Sequence, residues 1–317
     1  MSDSFTAATD LLLGEHPSPD QVIRAGELFE QASAEGHAEA SERLALLEAL
    51  GVLRPQNWER ALDLLELAAR QGSQRAREQL LLLADNRQHP SVPEDAVDNF
   101  WRSARKRVDL AARTVPGETI PLLESPRVRL IKQFATGAEC RWLIGLARER
   151  MARATVFDQV SGAQIHVDSR DNSFFGMPLS ELNVLTEVIR NRISSAIRLP
   201  VPLFEASQIL HYSVGQQFKS HYDFLDPENP AYREDLARHG QRIATFLIYL
   251  NGGYGGGETS FPKIGRTFRA EEGDALFFAN VARDGSPDPL TLHAGLPPTS
   301  GEKWVFSQWI RDQFPKE

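Results

Sequence analysis

Apolar residues in the first third of the chain recur at three- and four-residue intervals, and the pattern occurs twice. A shift of 36 residues superposes Arg24-Ala25 on Arg60-Ala61, Leu28 on Leu64, Ala32 on Ala68 and Gly36 on Gly72. Ala40 then falls on Ala76, Leu44 on Leu80 and Leu47 on Leu83, with charged residues between them. Such spacing gathers the apolar side chains on one face of an α-helix. The glycine inside each unit can take the left-handed conformation that ends a helix. Each unit is therefore predicted to be a helical hairpin, with alanines where the two helices approach closely. Two units are few for a stack that needs neighbours to bury its faces, so they are expected to lean on a helix over Glu94–Arg113 or on the rest of the chain.

Asn86 to Pro93 is polar and contains proline, as a linker would. Thr114-Val115-Pro116-Gly117 ends the helix that follows, and after Glu124-Ser125-Pro126 the pattern changes to short β-branched runs mixed with two helices. The predicted division is 1–86 helical repeats, 87–125 linker and connecting helix, and 126–317 a second domain with its core at 205–312. Alternation in its strands sorts side chains by face. Thr245 shares a face with Tyr249, Lys303 with Trp309, and Gln208 with Tyr212. The run Asn251 to Gly257 is glycine-rich, but no helix pattern follows it to meet a phosphate, and Glu258 to Phe261 reads as a strand. It is expected to be a flexible turn. Asp226 to Gln241 is a long polar excursion, of a length that often serves as a lid.

Composition narrows the partners. The formal charge of -8 argues against nucleic acid or an anionic membrane as the main partner. Cys140 is the one cysteine, which rules out an internal disulfide or a cysteine-rich zinc site and fits a reducing, cytoplasmic setting. Met1 to Asp10 lacks the regions of a signal peptide, and no apolar run reaches membrane-spanning length. A soluble protein is expected.

The candidate chemistry begins at His221-Tyr222-Asp223, where two metal-ligand side chains at i and i+2 point to one side of a strand. His293, in Leu290-Thr291-Leu292-His293-Ala294-Gly295, supplies a third ligand. Two imidazoles and one carboxylate leave positions open on iron for a chelating cosubstrate and O2. A zinc hydrolase could use the same set. It would leave unexplained Lys303, ten residues beyond His293, whose buried cation would suit one end of a dicarboxylate. A second His-x-Asp pair, His166-Val167-Asp168, is read as a loop.

Two resemblances complete the reading. The repeats resemble the Sel1-like relatives of tetratricopeptide repeats, which implies a surface able to dock a protein. Residues 126–317 resemble the prolyl 4-hydroxylase branch of the 2-oxoglutarate/Fe(II) oxygenases. The carriers include Tyr212-x-x-Gly215, His221-x-Asp223, Arg242-x-x-Thr245, Tyr249-Leu250-Asn251, Gly256-Gly257-Glu258-Thr259-x-Phe261-Pro262, His293-Ala294-Gly295 and Gly301-x-Lys303-Trp304. The resemblance implies an α+β fold, a double-stranded β-helix or jelly-roll barrel with packed helices, behind the all-α repeat region. It implies catalysis at His221, Asp223 and His293 with Fe(II), 2-oxoglutarate and O2, and with ascorbate as a reductant of stray iron(III). Lys303 would bind the distal carboxylate, with Tyr212, Thr245 and Tyr249 as hydrogen-bond partners. Arg170, Trp309 and Arg238 are candidates for substrate contact, and Phe218 is read as plain packing. The expected substrate is a protein or peptide prolyl residue; the alternatives are a free amino acid or small metabolite, or an inactive barrel acting as a scaffold.

Overall fold

The computed structural model describes residues 3–13, 17–52, 54–84, 98–153, 156–157, 164–165 and 170–314. The first helices are α1 (Asp3–Leu11), α2 (Pro19–Ala34), α3 (Ala38–Leu50), α4 (Trp58–Gln71) and α5 (Gln74–Ala84). After them come α6 (Asp98–Lys106), α7 (Leu110–Arg113), α8 (Gly137–Arg148), α9 (Val184–Ile197) and α10 (Arg233–His239). Strands begin with β1 (Thr119–Glu124), β2 (Arg127–Ile131), β3 (Ala152–Arg153), the pair β4 (Val156–Phe157) and β5 (Gln164–Ile165), and β6 (Ser173–Met177). They continue as β7 (Ser207–Tyr212), β8 (Phe218–His221), β9 (Arg242–Tyr249), β10 (Gly255–Gly256) and β11 (Thr259–Phe261). The last are β12 (Arg266–Phe268), β13 (Ala275–Ala279), β14 (His293–Gly295), β15 (Pro298–Ser300) and β16 (Lys303–Arg311). Two compact units result, one of residues 1–115 and 177–196, the other of 116–176 and 197–317.

In the helical unit, α2 with α3 and α4 with α5 form the two hairpins. Ser18 and Gln21 make a capping box at the start of α2 with Pro19 behind it, and Asn57 caps α4. Gly36 and Gly72 have φ of 92° and 107°, and a Cβ at either would meet nothing within 4 Å. Backbone conformation, not space, calls for glycine there. Every repeated Ala and Leu position except Leu28 and Leu64 is buried. The expected helix over 94–113 is broken, because the Asp109 side chain accepts from Ala112 N–H at 3.1 Å and starts α7 afresh. Residues 85–97, with the linker and the start of that helix, lie outside the described residues.

One boundary differs from the sequence reading. Residues 177–196, assigned there to the second domain, cluster with the helices. α9 buries Val184, Leu185, Val188, Ile189 and Ile193. Leu185 N–H donates to Gln79 Oε1 at 3.2 Å, and Arg192 Nε donates to Arg113 O at 2.6 Å. α9 therefore supplies the repeat array with an apolar neighbour drawn from much later in the chain.

The other unit is the jelly roll. Its larger sheet runs β1-β2-β13-β9-β16-β7-β6-β3 and its smaller sheet β12-β11-β14-β8. Pairing is antiparallel throughout. Phe261 of the smaller sheet meets Phe278 of the larger edge-on, with centroids 5.2 Å apart, in the core between them. Of the two helices expected on the barrel, α8 belongs to this unit, opened by a Thr136–Glu139 capping box. Alternation then decides what faces inward. Lys303, Val305, Ser307 and Trp309 of β16, Thr245 and Leu247 of β9, and Leu210 and Tyr212 of β7 all line one cavity.

Candidate active site

The inward faces line one cavity that is open to solvent. His221 ends β8 and pairs directly with His293, the first residue of β14. Asp223, two residues beyond His221, returns to the same side. The ligand atoms of these three residues lie within 4.8 Å of one another. His221 Nε2 is 3.6 Å from Asp223 Oδ1, and His293 Nε2 is 3.5 Å from Asp223 Oδ2.

Both imidazoles are oriented through their other nitrogen. His221 Nδ1 lies 2.8 Å from Lys219 O and His293 Nδ1 lies 3.0 Å from Thr291 O. A carbonyl can only accept, so each Nδ1 carries a proton and each Nε2 is the atom that faces Asp223. Phe218 stacks on the His221 ring at 3.5 Å, and Phe278 meets His293 edge-on at 4.8 Å. Phe218 is thus a wall of the site and the support of one imidazole, more than the plain packing expected of it. Burial lowers the His293 pKa to about 4, against the pull of Asp223, so the ring is neutral near pH 7. Burial opposes ionisation of Asp223, but His293, His221 and Thr245 outweigh it and hold the carboxyl well below its usual range. Two imidazole nitrogens and one carboxylate are the donor set that a ferrous ion with open positions requires.

Lys303 enters the same cavity six residues before Trp309 on β16. It is 2 % exposed. Its ammonium stands 5.2 Å from the Tyr212 ring and 5.5 Å from the Tyr249 ring, and no carboxylate of the described residues is within ion-pair distance. Burial, partly offset by Glu258, lowers its pKa to about 8. A desolvated cation of this kind is a ready partner for a carboxylate. The Tyr212 hydroxyl makes no hydrogen bond among the described residues, lies close to Gly295 and faces the cavity.

Other expected residues fall differently. Thr245, expected on the cosubstrate, donates instead to Asp223 Oδ2 at 2.6 Å, and Asn280 Nδ2 donates to Thr245 Oγ1 at 3.0 Å. Its one proton is committed to the carboxylate. Tyr249 shares its hydroxyl with Thr259 Oγ1 at 2.8 Å and is not on the cavity wall, whereas Thr259 is. Arg170 and Trp309 are on the wall. Arg170 lies over the Phe218 ring at 4.7 Å, and Trp309 is covered at 3.8 Å by Arg242, itself forked onto Glu205 at 2.6 and 2.9 Å. Arg238 is exposed on α10 and is not part of the wall. The excursion carrying it is tied down through Arg311, which donates to Gly240 O and to Asp235. His166 and Asp168 lie outside the described residues. Asn280 was missed, since a lone polar residue at the end of an apolar strand carries no motif, and Thr259 was read as part of a motif without a role of its own.

Residues 207–311 match the 2OG-Fe(II) oxygenase superfamily. Prolyl 4-hydroxylase 5 of Arabidopsis thaliana is 38% identical over 206 residues, covering 58% of this chain and 68% of that protein. The chain belongs to the 2OG-Fe(II) oxygenase superfamily. As a 2-oxoglutarate-dependent dioxygenase it uses Fe(II), 2-oxoglutarate and O2, and the donor set and Lys303, without an ion-pair partner among the described residues, fit the first two. Prolyl 4-hydroxylase 1 of the same plant is 33% identical over 205 residues, covering 60% of this chain and 70% of that one. Among solved structures, a viral collagen prolyl hydroxylase from Paramecium bursaria Chlorella virus-1, in complex with 2OG, is 27% identical with a TM-score of 0.43, covering 58% of this chain and 94% of that chain. A Trichoplax adhaerens prolyl hydroxylase, in complex with a hypoxia-inducible-factor peptide, is 15% identical at a TM-score of 0.43, covering 60% of this chain and 86% of that chain.

Proposed function

We propose that this oxygenase hydroxylates prolyl residues of a protein or peptide. The observation that carries the reading is one cavity walled by a His-Asp-His cluster and a buried lysine with no ion-pair partner among the described residues, in a chain akin to prolyl 4-hydroxylases. Bound Fe(II) with 2-oxoglutarate and O2 supplies the oxidising power, one oxygen atom ending in succinate and one in the product hydroxyl while the 1-carboxylate leaves as CO2.

The remaining work belongs to the chain. His221, Asp223 and His293 hold the metal, and Thr245 with Asn280 fixes the Asp223 carboxylate. Lys303 takes the distal carboxylate of the cosubstrate and Tyr212 donates its hydroxyl to it. Leu210, Leu247 and Val305 keep water from the space between. Arg170 and Trp309 form the wall against which the substrate segment lies. We read the helical hairpins as Sel1-like and as a dock for part of a polypeptide, which raises its local concentration without changing the chemistry. A cytoplasmic location rests on Cys140 being the sole cysteine; no helix among the described residues is long and apolar enough to cross a membrane. Ascorbate would serve as a reductant of oxidised iron.

The test incubates the full chain with Fe(II), 2-oxoglutarate and a library of proline-containing peptides, beside free amino acids. A mass gain of one oxygen located on a prolyl residue is expected. Oxygen found only on free amino acids, or on another residue type, overturns the proposal.

A further inference from the structure

Lys303 opens β16 where its neighbour β9 is ending. Val305 pairs with Tyr249, and Leu250 N–H donates to Trp304 O at 2.9 Å. At the next residue a side chain takes over from the main-chain ladder. Asn251 Nδ2 donates to Glu302 O at 2.7 Å, and Asn251 Oδ1 accepts from Trp304 N–H at 2.8 Å. These two bonds straddle Lys303, one on each flanking residue, so the amide fixes the peptide planes on both sides of its Cα.

The side chain is confined as well. A Cβ on Gly257 would stand 3.4 Å from Lys303 Cδ and 2.9 Å from Tyr254 Cε2, and Gly257 has a φ of +73°. The positive φ and the Tyr254 ring call for glycine there, and the lysine stem lies at ordinary contact distance beside that ring. Gly301 likewise sets a bare Cα against Tyr254, where a Cβ would lie 3.2 Å from Tyr254 Cα. Arg269 holds the loop down, donating to Gly256 O at 3.3 Å and to Tyr254 O, with its guanidinium 4.8 Å from the Tyr254 ring centroid. The run Asn251 to Gly257, expected to be a turn, brings Asn251 and Gly257 against Lys303 at its two ends.

We propose that Asn251 and Gly257 are positioning residues for Lys303: together they set where its ammonium stands and so fit the cavity to a 2-oxo acid of the right length with a distal carboxylate. The inference rests on Lys303 being the anchor of that carboxylate. An ammonium on a four-carbon stem has many rotamers, and its worth as an anchor falls when the stem is free to choose among them.

The test is anaerobic titration of the Fe(II)-loaded full chain with two probes, 2-oxoglutarate and oxalate. Oxalate chelates a metal but has no distal carboxylate. Asn251→Asp keeps the acceptor for Trp304 N–H and turns an oxygen on Glu302 O; Asn251→Ala removes both bonds; Gly257→Ala strains the backbone at φ +73° and crowds the Tyr254 ring that packs beside the stem. Each is expected to weaken 2-oxoglutarate by about tenfold while Fe(II) and oxalate binding stay within about twofold, the size of effect one or two hydrogen bonds carry. Thermal melts identify any variant that has lost its fold, and the surviving variants decide the question. An unchanged ratio of the two affinities, or an equal loss of both, overturns the inference. Lys303→Ala, titrated alongside, separates the two readings. If it collapses the ratio and the Asn251 and Gly257 variants do not, the positioning role falls and the anchor stands; if it leaves the ratio intact, the anchor falls as well.

Discussion

Replacing Thr245 with valine removes one hydroxyl and keeps the shape. The hydroxyl donates to Asp223 Oδ2 at 2.6 Å and accepts from Asn280 Nδ2, all three residues being buried. A hydrogen bond to a buried charge contributes about 1.5–3 kcal/mol. The variant also strands the Asn280 amide, which is 0% exposed. Loss of such an outer partner of a ligand typically weakens metal binding about 10- to 100-fold, and we expect Fe(II) affinity to fall within that range. The affinity for 2-oxoglutarate, measured anaerobically at saturating metal, should hardly change. Thr245→Ser, which restores the donor, should recover most of the loss. The assay is competition for Fe(II) against a chromogenic chelator, with calorimetry for the cosubstrate. A variant that binds iron normally and loses 2-oxoglutarate would refute the reasoning and return Thr245 to the cosubstrate role that strand parity alone suggests.

His221→Ala, Asp223→Ala and His293→Ala should each abolish 2-oxoglutarate turnover, because two ligands hold an open metal site poorly; near-normal turnover in any metal-checked variant would break the triad. The pH dependence of cosubstrate binding follows from Lys303, whose pKa in the free cavity is lowered to about 8. Bound carboxylate favours the charged form, so affinity should be flat below about pH 8 and fall up to about tenfold per pH unit above it, and titration in buffers of different ionisation heat should show proton uptake there; a flat profile to pH 9.5 would exclude it. Gly72→Ala should lower the stability of the helical unit by about 1–2 kcal/mol, since no atom obstructs the new methyl and only the backbone at φ 107° resists it; an unchanged denaturation midpoint would count against the αL cap.

Local pattern made the hairpins legible because each depends on residues close in sequence: a cap, a helical period, a glycine with positive φ. It could not show that α9 joins them. α9 is separated from α7 by the strands and helix of 119–177, and its buried Val184, Leu185, Val188, Ile189 and Ile193 look the same in sequence whichever surface covers them. Burying side chains of this size contributes about 1.5–3 kcal/mol each. Removal of residues 1–86 would therefore bare an apolar helix, and a loss of activity after truncation would not by itself reveal docking. Substitutions on the exposed hairpin surface of the full chain are the sounder test.

In the site, motif and parity were enough for residues whose chemistry is rare at their position. His221, Asp223, His293 and Lys303 are polar groups on inward faces that should otherwise be apolar, and their only economical neighbours are one another or a ligand. For hydroxyl residues parity was necessary but ambiguous. Thr245, Tyr249 and Tyr212 all face inward, and a hydroxyl is satisfied as readily by a protein atom as by a bound molecule. What separates them is the partner each finds across the barrel: Asp223 and Asn280 for Thr245, Thr259 for Tyr249, and none among the described residues for Tyr212. Those partners sit 10 to 35 residues away in sequence, brought close by register shifts and turns that no local pattern encodes. Of the three hydroxyls, Tyr212 is the one whose proton remains available to a cosubstrate, and its burial, which raises its pKa to about 12, keeps that proton in place at any pH where the enzyme would work.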